Sequence, residues 1–151
     1  MTGASVDPQV PTGFGPYPPV SAFMALLGPM HAKEEADGQL RLGLHLRPAH
    51  MNHQEAAHGG FVATLSDNAL GVNVARRLGK RVATANLSVD YLARASVGEW
   101  VEVVTRIDKI GGRLVFAECG GHVAERVIFK ARGIFAVLPE RPQARKGESE
   151  C

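Results

Sequence analysis

The chain has 151 residues, enough for one domain with a full core but short for two. Lys and Arg number 17 against 15 Asp and Glu, and the basic residues are scattered, which argues against a nucleic-acid partner. Met1 to Val20 lacks a basic start followed by an apolar core, and no run approaches the roughly 18 to 20 apolar residues of a membrane span, so no membrane role is expected. The two cysteines, Cys119 and Cys151, fit neither a disulfide framework nor a metal-ligand spacing, and the reducing cytoplasm is the natural setting.

In chain order, Pro8, Pro11, Pro16, Pro18 and Pro19 among Gly and Ser predict an extended or disordered arm over residues 1–20, able to lie along a neighbouring subunit. Ser21 is placed to cap a short helix, Ala22 to Leu27, which Gly28 and Pro29 would stop, with Phe23 and Leu27 as packing residues. Met30 to Glu35 reads as a strand. After an Asp37-Gly38 turn, Gln39 to Arg47 alternates, with Leu40, Leu42, Leu44 and Leu46 on one face. Pro48 ends that strand and opens a loop carrying His50, Asn52, His53 and Glu55. Together with His58 these residues could ligate a metal, but their spacing matches no standard zinc motif and no metal is expected.

A helix is predicted after Gly59-Gly60, running to Leu78 and ended by Gly79, with Arg76 and Arg77 suiting the negative end of its dipole. At about 100° per residue, Phe61, Val62, Leu65, Ala69 and Val72 fill one arc and Ala63, Leu70, Val74 and Leu78 another. Mainly Ser66, Asn73 and Arg77 lie between, so the helix should be buried. Asp67 falls inside the second arc, a costly place for a carboxylate unless it is paired or faces a solvated groove.

Arg81 to Tyr91 alternates again, with Ala83, Ala85, Leu87, Val89 and Tyr91 on one side and Thr84, Asn86, Ser88 and Asp90 on the other. Val97 to Ile107, Arg113 to Cys119 and Val127 to Leu138 complete the strands, with Gly111-Gly112 and Gly120-Gly121 as turns. From Pro139 the chain reads as a polar tail, leaving one domain over residues 21–138. A central helix followed by a meander of strands gives an α+β domain in which an antiparallel sheet wraps the helix.

The chemistry concentrates between His50 and Gly71. Gly59 and Gly60 let the backbone approach a ligand closely, and the free amides of a helix's first turn suit a polarised carbonyl or oxyanion. Asn52 stands six residues before His58-Gly59-Gly60, and Asp67 stands nine after His58. This spacing, with Thr84 at a later Ser/Thr position, resembles the hotdog-fold acyl-CoA thioesterases of the phenylacetic-acid-degradation type, within the 4-hydroxybenzoyl-CoA thioesterase superfamily. The resemblance covers about Gly28 to Val137.

It implies a homodimer or homotetramer with sites at the dimer interface, where Asn52 and Gly59 of one chain face Asp67 and Thr84 of the other. It also implies hydrolysis of an acyl-CoA thioester, with no cofactor beyond the CoA of the substrate itself. The Gly59 amide and Asn52 would polarise the carbonyl, while Asp67 and Thr84 position and activate water. His58 and Gly60 would stand at the loop-helix junction beside the substrate. Tyr91 and Arg94, with Lys109 and Arg113 of a later hairpin, would contact CoA, the basic groups pairing with its phosphates. Two rival readings stay open: a hotdog dehydratase or hydratase using His58 against Asp67, and a non-catalytic acyl-CoA-binding module. The identity of the acyl group is not legible.

Overall fold

A computed structural model describes residues 8–142. Residues 1–7 of the expected arm and 143–151 of the expected tail, Cys151 among them, lie outside the described residues. Seven strands, β1 (Gly15–Tyr17), β2 (Met30–Glu34), β3 (Leu40–His45), β4 (Val82–Tyr91), β5 (Trp100–Ile110), β6 (Leu114–Val123) and β7 (Arg126–Val137), form one antiparallel sheet. Its order is β1-β2-β3-β5-β6-β7-β4. A short helix α1 (Ala22–Ala25) precedes β2, and a 20-residue helix α2 (Gly59–Leu78) packs into the concave face of the sheet. None of the described helices is long and apolar enough to cross a membrane.

The leucine alternation does what the pattern requires, since Leu40, Leu42, Leu44 and Leu46 all lie in the core beneath α2. Helix α2 ends at Gly79, which adopts φ 62° and returns its N–H to Ala75. That left-handed conformation is easy only for glycine. Part of the arm joins the sheet: Gly15, Pro16 and Tyr17 pair with Ala32, His31 and Met30. Ser21 caps α1 by accepting from the Met24 N–H at 3.2 Å.

Four expectations need correction. Gly120-Gly121 is not a turn but lies inside β6, where a Cβ on Gly121 would stand 2.0 Å from the Phe129 ring, so this glycine serves close packing. Of the residues expected to pack around α1, Leu27 is half-buried against the core, but Phe23 is 61% exposed and faces the groove described below. Helix α2 does not have two apolar arcs with a polar seam; its buried stripe is Phe61, Val62, Leu65, Ser66, Ala69, Leu70, Asn73 and Val74, with Ser66 and Asn73 in its middle. Ser66 Oγ donates to the Val62 carbonyl at 2.8 Å, and the Asn73 amide bonds both the N–H and the C=O of Leu40 at 2.8 and 3.0 Å. Polar groups so fully paired can be buried at little cost.

The fourth correction concerns β4. A bulge between Thr84 and Asn86 inserts Ala85 without a partner and reverses the alternation. Val82 and Thr84 therefore share the helix-facing side with Leu87 and Val89, whereas Asn86 and Ser88 point to the outer face of the sheet. Strict period-2 alternation would have put Thr84 and Leu87 on opposite faces.

Candidate active site

The start of α2 is held by a loop that satisfies itself. Asn52 Oδ1 accepts from the amides of Gln54 and Ala56 at 2.8 and 3.2 Å, a side-chain turn that leaves its Nδ2 hydrogens without a partner among the described residues. Glu55 turns the corner at φ 57°, a left-handed conformation unusual for a non-glycine residue. Arg94 braces the same loop, its Nη2 donating to the Gln54 carbonyl at 2.6 Å.

His50 ties this loop to the body of the domain. It is buried and stacks on Phe61 at 4.2 Å. Its Nε2 donates to the Leu27 carbonyl at 2.8 Å, and its Nδ1 accepts from the Arg47 amide at 3.0 Å. Burial, with a smaller contribution from nearby Arg47, pushes its pKa below the ordinary histidine value, against the opposing pull of the Leu27 carbonyl. Both ring nitrogens are thus committed to the fold. This histidine was one of several candidate ligands in the sequence, and nothing in the local pattern marked it as structural.

His58 is the N-cap of α2: its Nδ1 accepts from the Gly60 amide at 2.9 Å, and its carbonyl accepts from the Val62 N–H at 3.0 Å. Among the described residues, the amides of Gly59 and Phe61 have no hydrogen-bond partner. They form the positive end of a 20-residue helix. The Tyr91 hydroxyl donates to the Gly59 carbonyl at 2.8 Å and brings its ring against that glycine.

Asp67 lies two turns further along α2, half-buried, and Oγ1 of Thr84 donates to its Oδ1 at 2.6 Å. The bulge in β4 is what turns Thr84 toward it. The pair sits where two adjoining cavities of about 550 and 560 Å³ meet, both lined by Val20, Asp67, Asn68 and Thr84. Phe23, Met24 and Leu87 wall one cavity, and Val72, Val82 and Phe135 the other. The arrangement is a carboxylate with a fixed proton-bearing neighbour in a largely apolar groove. On the core side of the same helix, Ser66 meets Cys119 of β6, whose thiol burial pushes up to about 12, which leaves it without nucleophilic character.

The expected site residues fall into three groups. Asn52, His58, Gly59, Gly60, Tyr91 and Arg94 gather at the N-terminal end of α2, and Asp67 and Thr84 meet at its middle. Lys109 and Arg113 are exposed on the β5–β6 hairpin at the opposite end of β4, because the Arg113 carbonyl accepts from Val137, which pairs with Val82. The 10 residues of β4 put the Tyr91 and Lys109 ends roughly 30 Å apart. One chain therefore does not bring all these groups to one place.

An antiparallel sheet wrapped around one long helix, with a carboxylate on that helix and free amides at its start, defines a hotdog-fold protein of α+β class. A model of the thioesterase superfamily matches residues 54–129. The Pseudomonas aeruginosa protein PA0474, which carries a provisional esterase name, is 40% identical over 129 residues, covering 84% of this chain and 96% of its own. Among solved structures, the BH2602 protein of Bacillus halodurans, determined with CoA, superposes with a TM-score of 0.67 at 26% identity over 78% of each chain. The Escherichia coli PaaI protein, from the phenylacetic acid degradation operon, shares the fold with a TM-score of 0.72 at 14% identity, over 80% of this chain and 86% of its own. The chain belongs to the thioesterase superfamily and is a thioester hydrolase.

Proposed function

We propose that this enzyme hydrolyses an acyl-CoA thioester to a carboxylic acid and free CoA in a site completed by two copies of the chain. The observation that carries this reading is the Asp67–Thr84 pair, 2.6 Å apart, in a groove lined mainly by apolar side chains. The carboxylate accepts a proton from water as the water oxygen bonds to the carbonyl carbon, and Thr84 fixes the direction of the receiving carboxylate. Charge that builds on the carbonyl oxygen is met by the free Gly59 amide, the helix dipole and an Nδ2 hydrogen of Asn52. As the tetrahedral intermediate collapses, the C–S bond breaks and the thiolate recovers the proton, so the only co-reactant is water.

Geometry supports two copies. Gly59 and Asp67 are eight residues apart on one helix, which is about 12 Å of rise. A carbonyl within hydrogen-bonding reach of the first and a water within reach of the second need their donors much closer. Strand β4 is an open edge, and the half-buried face of α2 beside it carries small residues, Ala63, Gly71 and Ala75. Pairing across that edge with a second copy would bring the Gly59 end of one helix toward Asp67 of the other. It would also bring the Lys109–Arg113 hairpin of one chain toward Tyr91 and Arg94 of the other, where basic groups suit CoA phosphates. That the BH2602 protein was solved with CoA favours this substrate class.

A histidine acting as general acid or base, as a dehydratase requires, is disfavoured because His58 Nδ1 is already used by the Gly60 amide. The test is thiol release over a panel of aryl-acyl, benzoyl, and short-, medium- and long-chain fatty acyl-CoA esters. Turnover of at least one is expected. No thiol release from any ester, with hydration of an enoyl-CoA instead, would overturn the reading.

A further inference from the structure

We infer that His58 and Tyr91 are positioning residues which grip a single peptide group, Gly59 C=O to Gly60 N–H, from its two ends and thereby aim the neighbouring Gly59 N–H. The inference rests on the reading that this amide polarises the thioester carbonyl. His58 Nδ1 accepts from the Gly60 N–H at 2.9 Å, and the Tyr91 hydroxyl donates to the Gly59 carbonyl at 2.8 Å. The peptide just before it is held as well, since the His58 carbonyl accepts from Val62 at 3.0 Å. The His58 N–H in turn donates to the His50 carbonyl at 2.8 Å, which ties the junction to a residue fixed in the core.

Two consecutive glycines need this grip. Each has wide backbone freedom, and the first turn of a helix is where fraying begins. A donor stabilises a developing oxyanion effectively only if it is already aimed before the charge appears. A Cβ on Gly60 would lie 3.1 Å from His58 Nδ1, so a stiffer residue there would push on the cap, whereas one on Gly59 would only come into contact with the Tyr91 ring at 3.4 Å. Rigidity is supplied from outside the two residues, by one side chain 32 residues away at the end of β4 and one immediately before them. The contacts also set the chemistry of both side chains. An Nδ1 that accepts leaves the imidazole proton on Nε2, and a hydroxyl that donates to a backbone carbonyl can meet CoA only as an acceptor.

The test separates kcat from KM on the best thioester. Tyr91→Phe keeps the ring over Gly59 and removes one oxygen, and should lower kcat about 10-fold with KM nearly unchanged, since misaiming a donor costs less than the 10² to 10³ of deleting one. His58→Ala should lower kcat by about 10- to 100-fold, and His58→Asn, whose side-chain oxygen can cap the same amide, should recover most of that loss. A Tyr91→Phe enzyme with wild-type kcat, or with raised KM alone, overturns the role of Tyr91. His58→Asn as inactive as His58→Ala overturns that of His58 by pointing to proton transfer through the ring. Asp67→Asn assayed alongside keeps the two levels apart: full activity there defeats the underlying mechanism, whereas an inactive Asp67→Asn with unimpaired Tyr91→Phe and His58→Ala defeats only this inference.

Discussion

The two sides of α2 carry polar residues in similar numbers and treat them oppositely. On the core side, Ser66 and Asn73 are buried with relative exposures of 0% and 1%, and each is paired with backbone. On the groove side, Asp67 receives one side-chain hydrogen bond among the described residues, from Thr84, and lines a groove with apolar walls. A polar group whose hydrogen bonds all end on its own backbone holds the fold together. One that keeps a free acceptor toward a groove can act on something else. On the proposed mechanism, the same helix separates stability from chemistry by about 100° of rotation.

The sharpest way to break that contrast is to remove the groove-side charge. Asp67→Asn keeps the volume and can still meet Thr84, but cannot take a proton, so kcat should fall by about 10² to 10⁴. Thermal melting should show no loss of stability, because nothing in the core depends on this carboxylate. Near wild-type turnover would mean that water is activated elsewhere.

The mirror-image change lies on the core side. Asn73→Ala strands the Leu40 N–H and C=O inside the domain and should cost about 2 to 4 kcal/mol in urea unfolding, while kcat below the melting range stays close to wild type. A stable variant would mean that the β2–β3 hairpin relaxes to pair those groups with water. Replacing both polar residues of one side should never produce the phenotype of the other.

These two sides could not be told apart in the sequence. Ser66 and Asn73 looked like a polar seam and Asp67 like an intruder among apolar residues, because a helical period gives angles but not which angle faces the sheet. The long helix, its glycine stop and the leucine strand were legible, since each depends on local chemistry: a left-handed cap, a dipole, a period of two. The bulge at Ala85 was not, and it alone decides that Thr84 faces Asp67. Likewise Gly121 looked like a turn because a glycine needed for close approach to Phe129 and a glycine needed for a bend are the same letter. The spacing of Asn52, Gly59 and Asp67 pointed to the chemistry, whereas the Tyr91 contact with Gly59 joins positions 32 residues apart and left no local trace.

A smaller effect sharpens the comparison through pH. His50 belongs to the stabilising class, with a pKa held below the ordinary histidine value chiefly by burial. The unfolded chain then binds the proton more readily than the folded one. The stabilisation is complete above the unfolded value and is lost as pH falls through the folded one. The melting temperature should decline on acidification from neutrality, and His50→Asn should flatten that part of the profile. An unaltered profile in the variant would assign the acid sensitivity to other groups.

The central claim is that the amide of one copy and the carboxylate of another serve the same thioester, and subunit mixing tests it most directly. Gly59→Pro deletes the amide at the first helical position, where proline is accommodated, and Asp67→Asn deletes the base. Each protein alone should be nearly inactive. Co-refolded in equal amounts, half of the dimers are mixed, and each mixed dimer regains one intact site of two, so activity should return to about a quarter of wild type. Mixed dimers, verified by differential tagging, that remain as inactive as their parents would contradict a site shared between chains.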